Sequence, residues 1–106
     1  MLYEVRTYRA VPGRMPDLMR RTKDHALSLF SKHGLELVFI GQTHIGDDSL
    51  NELTYVLRHA SYEQMFERWS SFIGDEEWNA VRAETEAAGP LVVSVRRSVL
   101  TDAYFS

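Results

Sequence analysis

The hydrophobic period of the chain changes from two to about three and a half and back again, twice and in the same order, and nothing else in the sequence restricts the fold as tightly. Leu2 to Ala10 (LYEVRTYRA) sets Tyr3, Val5 and Thr7 on one side and Glu4, Arg6 and Tyr8 on the other, the alternation of a strand. Pro12-Gly13 breaks it, and Pro16 suits a first helical turn, where its fixed φ fits and its missing donor is not needed. Met15, Leu18, Met19, Thr22, Ala26, Leu29, Phe30 and His33 then recur at three and four, with Asp17, Arg20, Arg21, Lys23, Asp24 and Lys32 opposite. The spacing predicts a helix that turns Arg20-Arg21-Lys23 to solvent and stops at Gly34, in the C′ position.

Leu35 to Ile45 and Glu52 to Ala60 are rich in branched and aromatic residues, and the Gly46-Asp47-Asp48-Ser49 cluster between them is a turn signal, so they read as an antiparallel hairpin. Ser61-Tyr62-Glu63-Gln64 has the form of a capping box ahead of an apolar stripe of Tyr62, Met65, Phe66, Trp69, Phe72 and Ile73. Gly74 ends that helix. Asp75 caps a shorter one carrying Trp78 and Val81, closed by Gly89-Pro90, and Leu91 to Leu100 is the last strand. Strand-helix-strand twice over, with right-handed crossovers, gives the ferredoxin-like βαββαβ arrangement. This α+β fold is a four-stranded antiparallel sheet with helices on one face.

A length of 106 residues suits one domain, 1–106, with one core. The net charge of −3 lacks the basic excess that phosphate neutralisation requires, so no nucleic-acid partner is expected. With no cysteine, disulfides, thiolate nucleophiles and zinc-thiolate sites are excluded. No apolar run reaches the ~20 residues that span a bilayer, and strand-like residues begin at Leu2 without space for a signal peptide. A cytoplasmic protein with no membrane partner is the expectation.

Both faces of the sheet look apolar. Leu35, Leu37 and Phe39 alternate with Val38 and Ile40, and Leu91, Val93 and Val95 with Val92 and Leu100. A sheet open to water on one side would carry polar residues there, so a homodimer joined through the helix-free sheet face is expected, closed by a two-fold axis.

If Tyr3 and Val5 meet the helices, Glu4, Arg6 and Tyr8 point into the covered space between subunits. Arg6 there is a candidate to hold an anionic or carbonyl oxygen and Tyr8 to donate a hydrogen bond to it; the plain alternative is a Glu4–Arg6 salt bridge. His44, near the end of the second strand, is the candidate general base, because a histidine titrates near neutral pH, and the alternative is a surface histidine beside a turn. Tyr55 completes the set lining the cavity. The histidines lack HxH or HExxH spacing and Asp47-Asp48 lacks the ligand series of a calcium loop, so no metal and no cofactor is expected. Phe66, Trp69 and Phe72 have the spacing of core packing, and Arg96-Arg97 must point to opposite faces.

Tyr3-Glu4-Val5-Arg6-Thr7-Tyr8 followed by Pro12-Gly13 resembles the opening of NIPSNAP family domains, whose first strand reads E-hydrophobe-R-x-Y. Leu50-Asn51-Glu52-Leu53, Phe66-Glu67-Arg68-Trp69, Asp75 to Trp78 and the closing Phe105-Ser106 are similar to that family as well. The resemblance implies a dimeric α+β barrel, the fold of cofactor-free monooxygenases of antibiotic biosynthesis and of muconolactone isomerases. Where relatives carry a histidine and a tryptophan on the third strand, this chain has Tyr55 and Leu57. Three functions remain open at this point: a small-molecule barrel that acts as a cofactor-independent oxygenase or isomerase, a ligand sensor with the same pocket, and a non-catalytic recruitment module with a filled barrel.

Overall fold

The computed structural model describes residues 1–102, so the Phe105-Ser106 ending lies outside the described residues. Strands β1 (Leu2–Ala10), β2 (Glu36–Gln42), β3 (Glu52–His59) and β4 (Val92–Thr101) form one antiparallel sheet in the order β2-β3-β1-β4. The first crossover holds α1 (Met15–Arg21), a π-helical turn (Thr22–Ala26) and α2 (Leu27–Lys32), and the second holds α3 (Tyr62–Ile73) and α4 (Glu76–Thr85). This is the expected ferredoxin-like βαββαβ arrangement. No helix among the described residues is long and apolar enough to cross a membrane.

The ends of the elements follow from local chemistry. Ser61 Oγ accepts from Gln64 N at 3.1 Å, and Gln64 returns the bond one residue earlier than in the usual box, accepting from Ala60 N at 2.6 Å. Asp75 Oδ1 accepts from the amides of Glu77 and Trp78, using two of the unpaired donors that open α4. Gly34 has φ +72°, a conformation that disfavours a side chain, and it lets Leu35 turn inward after α2. Leu35 joins Leu29, Phe30, Tyr55, Leu57 and Phe72 in the main core, and Ala10, Met15, Leu18 and Leu53 continue it toward the start of α1. Each fully buried large apolar side chain contributes about 1.5–3 kcal/mol.

Three expectations need correction. Strand β1 faces the opposite way from that expected: Glu4, Arg6 and Tyr8 pair across to Leu57, Tyr55 and Leu53, whose burial fixes that side as the helix-covered one. Tyr3, Val5 and Thr7 therefore lie on the open face, because the core residues of β3 outweigh the modest apolar content of β1. The register of β2 shifts between Leu37 and Phe39, with Val38 as the extra residue. That bulge puts Leu37 beside Leu57 but Phe39 beside Val56, on opposite faces, which strict alternation did not allow. The first helix is interrupted by the π turn, where Leu27 N donates to Thr22 O, five residues back.

The open face collects Tyr3, Val5, Val56, Phe39 and Leu100 but also Thr7, Thr54, Arg58, Arg96 and Ser98, while Leu37 and Val95 turn to the helix side, so this face is less apolar than the alternation led one to expect. Phe39 is 60 % exposed, and its ring lies over Gly41, where a Cβ would come within 2.9 Å of it.

Candidate functional site

Between the helices and the sheet lies a polar chain whose members all come from strand alternation. Glu4, Arg6 and Tyr8 follow one another on the inward side of β1, and Tyr55 and His59 on that of β3. Glu4 is wholly buried. Its Oε1 accepts from Trp69 Nε1 at 2.7 Å and from His59 Nε2 at 2.9 Å, and its Oε2 accepts from Arg6 Nη1 at 3.3 Å. Arg97, inward on β4, brings its Nη1 to 3.7 Å from the same oxygen. A buried carboxylate needs such company, since an unpaired one is expelled or neutralised.

Arg6 continues the chain. Its guanidinium lies 4.4 Å from the Trp69 ring centre, and its Nε donates to the hydroxyls of Tyr55 (3.1 Å) and Tyr8 (3.2 Å). Those two hydroxyls are 2.6 Å apart and the rings stack with centroids 5.4 Å apart. Burial works against the Arg6 charge, but Tyr8, Tyr55 and Glu4 outweigh it and hold the proton more firmly than usual. Burial, then Tyr8, pushes the Tyr55 phenol well above its ordinary range. The arrangement is a set of preorganised donors backed by a fixed positive charge, the form that holds a developing oxyanion.

Two spaces adjoin this chain. An inner chamber of about 60 Å³ is walled by Tyr8, Tyr55, Phe30, Trp78, Arg21 and the π-turn residues Thr22 and Ala26, among others. A half-open cleft of about 710 Å³ runs from Arg6 and Tyr8 out between α3–α4 and β4, past Phe66, Trp69 and Val95. Tyr8, Arg21, Trp69, Phe72 and Trp78 line both.

Of the residues singled out from sequence, the structure brings Arg6, Tyr8 and Tyr55 together, but on the helix-covered face rather than the helix-free one. His44 is exposed in the loop after β2, lines neither space and stands apart from the cluster. His33 bridges Ser71 Oγ and Asp75 Oδ2, both at 2.6 Å, tying α2 to the helices that follow. His59 carries no motif, yet its alternation with Tyr55 and Leu57 marks it as inward-facing. Trp69 is only partly core: its ring covers Arg6 and its nitrogen serves Glu4, while Phe66, one turn earlier, is exposed at the cleft. Arg96 and Arg97 do split between faces, Arg97 to the cleft and Arg96 to the open side beside Glu52. Arg21, expected in solvent, is 8 % exposed, with its guanidinium 5.3 Å from the Trp78 ring centre, because α4 packs over the end of α1.

Solved structures place this geometry in context. A NIPSNAP family protein of unknown function from Agrobacterium tumefaciens superimposes with a TM-score of 0.84 at 25% identity, over 100% of this chain and 91% of its own. A second NIPSNAP family protein from that organism gives 0.85 at 22% identity, covering 99% and 95%. A proposed antibiotic biosynthesis monooxygenase from Deinococcus radiodurans gives 0.62 at 8% identity, over 100% and 96%, a likeness of fold alone. No curated protein matches the chain. The NIPSNAP model matches residues 3–106, essentially the whole sequence, and the chain belongs to the NIPSNAP family.

Proposed function

We propose that the chain works as a homodimer, each subunit binding a small molecule between its sheet and helices, with a ligand oxygen held by Arg6, Tyr8 and Tyr55. One observation carries this: a cleft of about 710 Å³, walled by aromatic and branched side chains and by arginines, ends inward at the Arg6 guanidinium and Tyr8, whose hydroxyl bonds that of Tyr55 in the adjoining chamber. Small-molecule sites have that size, whereas a recruitment module needs no such space. Because the two hydroxyls share one hydrogen bond, one phenolic proton is left over for a ligand, and Arg6 polarises it. Such a donor favours an enolate or phenolate over its neutral parent. None of the described histidines lines the cleft, so it suits a substrate acidic enough to ionise unaided. Isomerase-like or cofactor-independent oxygenase-like chemistry would begin from that anion.

The dimer rests on the open face. Phe39, Val56, Val5, Tyr3 and Leu100 are its apolar residues, set among Thr7, Thr54, Arg58, Arg96 and Ser98, and a second copy packed sheet to sheet would cover them.

Both tryptophans of the chain, Trp69 and Trp78, line the cleft, so intrinsic fluorescence reports its occupancy. Titration with a panel of electron-poor phenols and cyclic 1,3-diketones, which ionise without a base near neutral pH, is expected to give a saturable change that Arg6→Met abolishes. A panel without a saturating member would overturn the binding role and return the recruitment module to first place.

A further inference from the structure

Arg21 is the most anomalous charged residue of the molecule. It is 8 % exposed, its Nη1 has no hydrogen-bond partner among the described residues, and the nearest carboxylate oxygen, Oε2 of Glu86, is 3.9 Å away and already bonded to Arg82 Nε at 3.0 Å. A buried guanidinium left so poorly matched is costly to the fold. Burial accordingly weakens its hold on its proton. Its position supplies a reason for keeping it, because it stands in the wall shared by the inner chamber and the cleft.

The wider electrostatics agree. The cleft is lined by Arg6, Arg21, Arg82 and Arg97, and among the described residues the carboxylates paired with them are Glu4 and Glu86. Four cations against two anions leave a surplus of two positive charges in a chain whose net charge is −3. Arginine rather than lysine at all four positions matches planar oxyanions, which a guanidinium meets with paired donors. Phe66, Trp69, Phe72 and Trp78 supply flat apolar walls for a ring.

We propose that the cleft takes an aromatic carboxylic acid, with its carboxylate at Arg21, where chamber and cleft meet, and its ring against the wall that Trp69, Phe72 and Trp78 form together. The proposal rests on the small-molecule reading above and adds the ligand's chemical class and its anchor. The carboxylate neutralises a guanidinium that Glu86, shared with Arg82, leaves unbalanced, and the ring lies within reach of Arg6 and the tyrosine pair.

Calorimetric titration of the full chain with 2-naphthoate, its neutral analogue 2-naphthamide and 2-naphthyl phosphate tests it. The carboxylate is expected to bind about tenfold or more tightly than the amide, and that preference should shrink to within about twofold in Arg21→Met. Equal affinity for acid and amide, a preference that survives in Arg21→Met, or tighter binding of the phosphate would each overturn the carboxylate assignment. Binding of the phenols or diketones without the naphthoate would overturn it while leaving the small-molecule reading intact; failure of every compound sinks both. Should Arg21→Met not fold, the Nε–Hε resonance of Arg21 in the wild-type protein decides the matter, since naphthoate should shift it and naphthamide should not.

Discussion

Trp69 Nε1 donates a 2.7 Å hydrogen bond to Oε1 of Glu4, joining α3 to β1 across the space that a ligand would enter. The carboxylate at the far end is wholly buried and also serves His59 and Arg6. It is therefore the member whose loss strands the most polar atoms. Glu4→Ala should lower the unfolding free energy by about 3–5 kcal/mol, as removal of one partner from a buried ion pair does. Trp69→Phe keeps a ring over Arg6 and removes one bond to a charged acceptor, so about 1.5–3 kcal/mol is expected. Urea denaturation at unchanged m measures both. A loss under about 1 kcal/mol for Glu4→Ala would mean that the network does not hold the two layers together.

The Tyr55 phenol gives the protein an alkaline limit. Burial and Tyr8 raise its pKa in the folded state, whereas the unfolded chain releases that proton near pH 10. The folded state then holds a proton that the unfolded state has lost, so this contribution to stability is complete below about pH 10 and declines as pH rises toward the folded value. Tyr55→Phe removes the group, and its stability should fall less steeply than wild type between about pH 10 and 11.5. Parallel slopes would show that another group sets the alkaline limit.

Much of the fold is legible in the sequence because its signals are local. Ser61, Asp75, Gly34 and the switches of hydrophobic period each act through neighbours a few residues away, and the structure uses all of them. What is not legible depends on partners distant in sequence. Tyr3-Val5 and Glu4-Arg6-Tyr8 present two alternating sets, and only the pairing with Leu53, Tyr55 and Leu57 decides which set goes inside. The bulge at Val38 and the π turn at Thr22–Ala26 each add one residue to a repeat, and neither carries a glycine or proline to mark it. Arg21 reads as solvated because α4, which covers it, comes more than fifty residues later. The site residues Arg6, Tyr8 and Tyr55 stand out by type, but alternation along one strand does not show that their hydroxyls and guanidinium converge.

Asp75 sets an acid limit by the opposite sign. Lys32, then His33, then the amides at the start of α4 hold its carboxyl well below the usual carboxylate range. Its contribution is present above about pH 3.9, where the unfolded chain's aspartate ionises, and is lost as pH falls toward the folded value. In Asp75→Asn the amide oxygen keeps the cap on α4 while the ionic contacts disappear. The variant should be less stable than wild type at pH 7 and approach it below about pH 3. Equal stability at pH 7 would show that Lys32 and His33 contribute nothing through this carboxyl.

The open sheet face gives the test of assembly. Phe39 stands over Gly41 with most of its ring uncovered, and Val56 lies beside it on β3. In a sheet-to-sheet dimer both would be buried against the partner, so a charge placed there must be desolvated or the pair must open. Phe39→Asp is already well exposed in the single subunit and removes no core contact, so it should leave helix content unchanged while shifting the mass in light scattering. The wild type is expected at about 24 kDa, twice the 12.2 kDa chain, and Phe39→Asp near the single-chain value. If the charge destabilises instead of dissociating, the melting temperature of the wild type should still rise with protein concentration, as linkage between folding and pairing requires. A wild type that elutes as a single chain and melts independently of concentration would rule out the dimer.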